Sequence, residues 1–316
     1  MAQRETMIER HIRKMIELVD IASIAKKIVL ALLGLFLITF LLVHLGLNLT
    51  ILRNDGGEWF RAAAYFMGAN WIVRILGFGI LAAILAHIAL GLFIQFMNWR
   101  ARPIGYKAKT KSKTAFGSKL MIWTGLAILG FLVIHLTHFW FVKMGWSEGR
   151  YIIKTEQVER ALGARQLELS TAYMHTQDED EMLRLEMEFM ALERFMQANE
   201  KLQVLMFPAR AGERFILDLS LEEVREIQAF LGNVTYKADF WVMMHDMFKI
   251  WWMVLLYVLA MIPIGMHLAH AVPSGFQTLG LAHSKYTFII KIAGYALGGI
   301  IAFGFALVPL WIFLFR

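Results

Sequence analysis

Cysteine is absent from this chain of 316 residues. That excludes covalent haem through C-x-x-C-H, iron–sulfur ligation within the chain, and any disulfide. A cofactor here is held non-covalently, and histidine is the available ligand. A cleavable signal peptide is not expected either. Residues 1–27 are polar and mixed in charge, and no short apolar segment there ends in a small-residue cleavage site. Charge is missing from several long stretches. Gly34–Asn48, GLFLITFLLVHLGLN, holds no Lys, Arg, Asp or Glu and one deep histidine, His44.

What is present is apolar bulk, 58% of the chain, in several runs of 18 or more residues. Runs that long read as transmembrane helices. The expected spans are I, about 28–52; II, about 71–97; III, about 120–142; IV, about 248–271, ended by Pro273 and Gly275; and V, about 287–315. Residues 1–25 read as an amphipathic helix on the cytoplasmic membrane surface, with Ile8, Ile12, Met15 and Val19 on one face. Loop 53–70 carries Asn-Asp-Gly-Gly turn chemistry. The chain then divides into 1–25, the first three spans over 26–142, a polar insert over 143–240, and the last two spans over 241–316.

The net charge of +7 is uneven. Residues 143–239 carry 18 acids and 12 bases, a net of −6, whereas the remainder carries 20 bases and 7 acids. Arg100–Lys119 alone has seven bases and no acid. Beside apolar helices this is a topology signal and not a nucleic-acid patch. It places the N-terminus, the loop 98–119 (with Pro103 and Gly105 as breakers) and the connection 272–286 in the cytoplasm. The insert then faces outward. It reads as helical: Met182, Leu185, Phe189, Leu192 and Phe195 recur at helical spacing, and Asp178 can start that helix. Pro208 and Gly212 break the pattern. Ser220-Leu-Glu-Glu223 matches a capping box, with Gly232 as its stop. The insert is expected to form a small helical cap on the outer face; a solvated helical hairpin with only a packing role is the plainer alternative.

His44, His87, His135 and His267 sit one per span in spans I to IV. An imidazole in hydrocarbon is costly without a partner, so each is a functional candidate. His44 lies 17 residues after Lys27 and His135 lies 16 after Lys119. At ~1.5 Å per residue both stand roughly 25 Å into a core about 30 Å thick, near its outer side. His87, 16 residues after Trp71, and His267, 18 after Lys249, run the other way and stand near the inner side. Depth therefore pairs His44 with His135 and His87 with His267. Two bis-histidine pairs in a helix bundle are what two b-type haems require. Each ring is expected to bind iron through one nitrogen and to donate from the other to a backbone or hydroxyl oxygen.

On these residues the chain resembles a known family. ASIAKKIVLALLGLFLITFLLVHLGLN, SKLMIWTGLAILGFLVIHLTHFWF and HLAHAVPSGFQTLGL resemble spans of the cytochrome b subunit of five-helix, two-haem succinate dehydrogenases and fumarate reductases. The resemblance covers about 23–142 and 250–316. It implies an all-α integral membrane five-helix bundle with an extra-cytoplasmic insert, in the inner membrane of a bacterium. It also implies two haems b, docking of a flavoprotein and an iron–sulfur subunit on the cytoplasmic side, and electron exchange with a quinone, usually menaquinone. The dicarboxylate chemistry would lie in another chain. The family spacing H-x-x-x-small fits His267 before Ala271 and favours His267 over His270. Two features depart from it: the long insert, and Gly265 where some fumarate reductases have a proton-carrying glutamate.

Other candidates follow from position. Lys27, Arg74, Arg100, Ser274 and Gln277 lie where haem propionates or lipid headgroups meet the membrane edge. Gly34, Gly91 and Gly130 suit either a macrocycle or close helix packing. His138 and His270, three residues past ligands, suit a propionate or the quinone. Glu58, His245 and Asp246 are quinone-site candidates on the outer side. Two other functions fit the same residues. One is the two-haem cytochrome of a different quinone-linked dehydrogenase, such as a hydrogenase or formate dehydrogenase. The other is a haem-free anchor or transporter with histidine proton relays.

Overall fold

The structure, a computed structural model, describes residues 7–101, 116–203, 216–232 and 234–315. The breakers Pro103, Gly105, Pro208 and Gly212 lie outside the described residues. So does Lys119's side chain, and so do those of Ile8, Ile12, Met15 and Val19. Among the described residues, five helices are long and apolar enough to cross a membrane: Ile24–Leu52, Trp71–Ala101, Leu120–Lys143, Trp251–Thr278 and Thr287–Phe315. The chain is an all-α, multi-pass membrane bundle, with its spans where the apolar runs put them. Spans of 24 to 31 residues at ~1.5 Å per residue comfortably cover a core about 30 Å thick.

The first compact unit comprises Met1–Val133 and His245–Arg316. Helix α1, Met7–Leu49, is unbroken from the expected surface segment into span I, and a 3₁₀ turn, Thr50–Leu52, ends it. Loop 53–70 is more than a turn, because Glu58–Ala69 forms helix α2. Asp55 organises its start: it accepts from Gly57 N at 2.9 Å and Trp59 N at 3.3 Å. Gly57, at φ +87°, supplies the left-handed step that the turn needs. Helix α3, Trp71–Ala101, is span II. Asn70 caps it, accepting from Ile72 N at 2.9 Å. Helix α4, Phe116–His135, carries most of span III.

The second unit, Ile134–Met244, contains a π-helical turn, Leu136–Trp140, and a short helix α5, Phe141–Lys143. Strand β1, Tyr151–Lys154, then leads into helices α6, Thr155–His175, α7, Glu179–Ala198, and α8, Glu200–Gln203. Strand β2, Ile216–Leu219, helix α9, Leu221–Leu231, and strand β3, Lys237–Ala238, complete it. The strands form one antiparallel sheet in the order β2–β1–β3. The insert is therefore not purely helical. Strands of four, four and two residues are too short to announce themselves by alternation. Its core gathers Tyr151, Val158, Leu192, Leu219, Val224 and Ile227, with Leu185, Phe189 and Phe195 packed against it. Burial raises the Tyr151 phenol above its usual pKa, and its hydroxyl donates to Val142 O and Ser147 O, each at 3.0 Å. Both arms of the Ser220/Glu223 capping box form, and Gly232 closes α9.

Helix α10, Phe240–Phe248, is followed by α11, Trp251–Thr278. Helix α11 continues through Pro273 rather than stopping there, and ends at Thr278. Proline removes only its own donor and leaves the Ala269 carbonyl unmet by the helix ladder. Helix α12, Thr287–Phe315, covers that point with Gly294. A Cβ on Gly294 would lie 3.1 Å from the Ala269 oxygen and 2.9 Å from Pro273 Cδ. One and two turns along, Gly298 and Ala302 face Gly265. A Cβ on Gly298 would stand 2.6 Å from the Gly265 oxygen. Small residues thus let two backbones meet, as in membrane helix pairs generally.

Candidate bis-histidine site

Helix rise sets the height of each histidine, and packing sets its azimuth. His87 on α3 and His267 on α11 converge, with ring centroids 6.5 Å apart and planes crossing at 71°. Among the described residues no three His, Cys, Asp or Glu side chains cluster, so these imidazoles stand as a pair. Two imidazoles on one metal, each bond about 2 Å long, hold their ring centres roughly 6 Å apart. The pair fits a bis-histidine haem on that count.

Its surroundings fit as well. Gly34 of α1 lies beside His87, where a Cβ would be 3.5 Å from Cε1, and Gly125 of α4 lies beside His267 at 3.8 Å. Among the described residues, a Cβ at Gly91 or Gly130 would meet nothing within 4 Å.

The two rings differ in their outer contacts. His267 Nδ1 is 3.1 Å from Thr124 Oγ1 on α4. Thr124 is buried, and its hydroxyl also donates to Leu120 O and Met121 O, each at 3.1 Å. The His87 ring meets the Leu30 backbone of α1, yet among the described residues its buried Nδ1 has no hydrogen-bond partner. Thr124 escaped the sequence reading. A hydroxyl in an apolar span is common, and depth alone does not say which helix it faces. Its signal was a polar side chain beside Gly125.

His44 is half-buried on α1. Phe40 stacks on it at 5.3 Å, and Phe305 of α12 lies 5.5 Å away. Its backbone oxygen accepts from Asn48 Nδ2 at 2.8 Å. His135 ends α4 within the second unit, its ring 5.0 Å from Phe139. Of the two expected pairs, His87/His267 is the one that lies whole within a single unit. The π turn after His135 changes the reading of His138. A π turn takes more residues per revolution than an α turn, so His138 is swung further off the His135 face than an α-helical i+3 residue. π turns in α-helices frequently mark functional positions. His270 remains on regular helix, one turn past His267.

The remaining candidates are scattered. Arg74 Nε donates to Gly68 O at 3.2 Å, turning back onto the end of α2. Gln277 lines a cavity of about 340 Å³ with Pro273, Phe276, Thr287 and Lys291, between the end of α11 and the start of α12. Ser274 lies one turn before Thr278, whose hydroxyl donates to the Ser274 carbonyl at 2.9 Å. Lys27 is exposed on α1, Arg100 is exposed near the end of α3, and Lys26 Nζ stands 5.2 Å from the Phe93 ring. Glu58 is exposed in the first turn of α2, whereas His245 is buried on α10. Asp246 is exposed and bonds Lys249 at 3.2 Å. No protein-family model matches the chain, and neither a curated protein nor a solved structure does.

Proposed function

We propose that this chain is the two-haem cytochrome b anchor of a succinate:quinone oxidoreductase in a bacterial inner membrane. It would pass electrons between a cytoplasmic iron–sulfur subunit, itself joined to a flavoprotein, and membrane menaquinone. The observation that carries this reading is the His87/His267 pair, whose ring centroids 6.5 Å apart leave room for the two imidazoles to hold one haem iron. In this reading His87 and His267 hold the inner haem, and His44 and His135 hold the outer one. Haem, when bound, supplies reversible one-electron transfer.

The chain's own residues do the rest. Helices α1, α3, α4 and α11 present the imidazoles, and apolar side chains around them exclude water. Thr124 holds the His267 ring in orientation. Phe40 and Phe305 flank His44 and limit its rotation. Glu58, exposed near the end of span I, is available to exchange a proton with a quinone; His245 and Asp246 are the alternatives for that role. The N-terminus, the basic loop 98–119 and the connection 272–286 would lie in the cytoplasm, where the partner subunits dock.

The test is spectral. The complex purified from membranes should show two b-type haems per copy of this chain in a reduced-minus-oxidised spectrum. A flavoprotein and an iron–sulfur protein should co-purify with it. A different pair of subunits would assign the chain to another quinone-linked dehydrogenase. No haem at all would leave the proton-relay alternative.

A further inference from the structure

We propose that Thr124 fixes the tautomer of His267 and thereby tunes one haem without touching it. This rests on the bis-histidine reading above. Thr124 Oγ1 has three polar neighbours at 3.1 Å: the carbonyls of Leu120 and Met121, and His267 Nδ1. A hydroxyl has one proton to give and lone pairs to receive. The two carbonyls can only accept. All three contacts are satisfied when the hydroxyl proton goes to the carbonyls and His267 Nδ1–H donates to Oγ1. That leaves the lone pair on Nε2, the nitrogen free to bind iron. Thr124 is buried, so water does not compete for the hydroxyl.

Such an outer hydrogen bond orients a ligating imidazole and raises its basicity. A more basic ring donates more charge to iron and favours the ferric state, which lowers the midpoint potential. Among the described residues His87 Nδ1 has no partner, and its ring meets the Leu30 backbone rather than a hydroxyl, so Thr124 adjusts this haem through His267 alone. Thr124 is a positioning residue, because it acts through His267.

The experiment uses the whole complex carrying Thr124→Val, Thr124→Ser or no substitution. Redox titration followed by optical and low-spin ferric EPR spectra reads each haem separately. Thr124→Val should raise the potential of one haem, shift its ferric EPR signal and leave the other haem unchanged. Haem affinity at that site should fall by about 10- to 100-fold, the usual consequence of removing a ligand's outer partner. Thr124→Ser, which keeps the hydroxyl, should restore potential and retention together. If Thr124→Val does not assemble, Thr124→Ala removes the hydroxyl without adding bulk and makes the same prediction. Unchanged potential and EPR signals with both haems retained would overturn the tautomer assignment. A parent complex that contains no b haem would instead overturn the reading on which it rests.

Discussion

His267 and His270 stand one helical turn apart on α11, and the two make opposite predictions. His267 has a built environment: His87 across from it, Thr124 behind it and Gly125 beside it. Replacing His267 with Ala should therefore remove one of two haem signals in the purified protein, while His270→Ala keeps both. Loss of a haem in His270→Ala, with both kept in His267→Ala, would reverse the assignment. The meeting of His87 with His267 was legible in the sequence because a helix advances by a fixed rise per residue. The azimuth was not. Thr124 became visible only once α4 and α11 were placed side by side. The π turn after His135 likewise has no sequence period of its own, and it moves His138 off the face that simple α-helical counting gave it. Gly265 lies in the same close packing: a Cβ there would be 3.0 Å from Ala302 Cβ and 3.3 Å from the Gly298 oxygen, so any side chain at that position crowds α12.

Among elements, the α11–α12 pair bears the closest packing. Gly298 and Gly299 are adjacent in sequence but differ in surroundings. A Cβ on Gly298 would strike the backbone of α11, at 2.6 Å from the Gly265 oxygen, whereas one on Gly299 meets nothing within 4 Å. Gly298→Leu should cost at least the ~1–3 kcal/mol typical of overpacking, since backbone must move. Gly299→Leu should be close to neutral. Thermal unfolding in detergent compares them, and equal losses would contradict the packing described. Sequence reading ended span IV at Pro273 because proline usually closes a helix; here Gly294 of α12 accommodates the carbonyl that proline leaves over. In the second unit, α9 begins at a capping box that was legible in full, because the motif is local. Burial opposes the ionised Glu223, but hydrogen bonds from Lys201 and Ser220 outweigh it and hold its pKa below the usual carboxylate value. Its stabilising contribution is therefore full above the unfolded-state value and lost as pH falls through the lowered folded value. Hydrogen exchange of α9 amides, corrected for intrinsic rates, should show protection falling over that acid window. Glu223→Gln should flatten the step. Ser220→Ala should cost about 1 kcal/mol at neutral pH.

For the molecule as a whole, the five spans were legible because hydrocarbon imposes a length and excludes charge, and both rules act on composition alone. The small sheet of the insert was not, because β1 pairs with β2 across more than sixty residues and neither strand is long enough to carry an alternating pattern. Function, as proposed, depends on whether the four histidines hold two haems. The most direct measurement is the haem content of the purified protein and of its four single His→Ala variants at 44, 87, 135 and 267. The account predicts two b haems in the parent protein. Loss of the same haem should follow from His87→Ala and His267→Ala, and loss of the other from His44→Ala and His135→Ala. A parent spectrum with no b-type α-band, or variants at 87 and 267 that lose different haems, would contradict it.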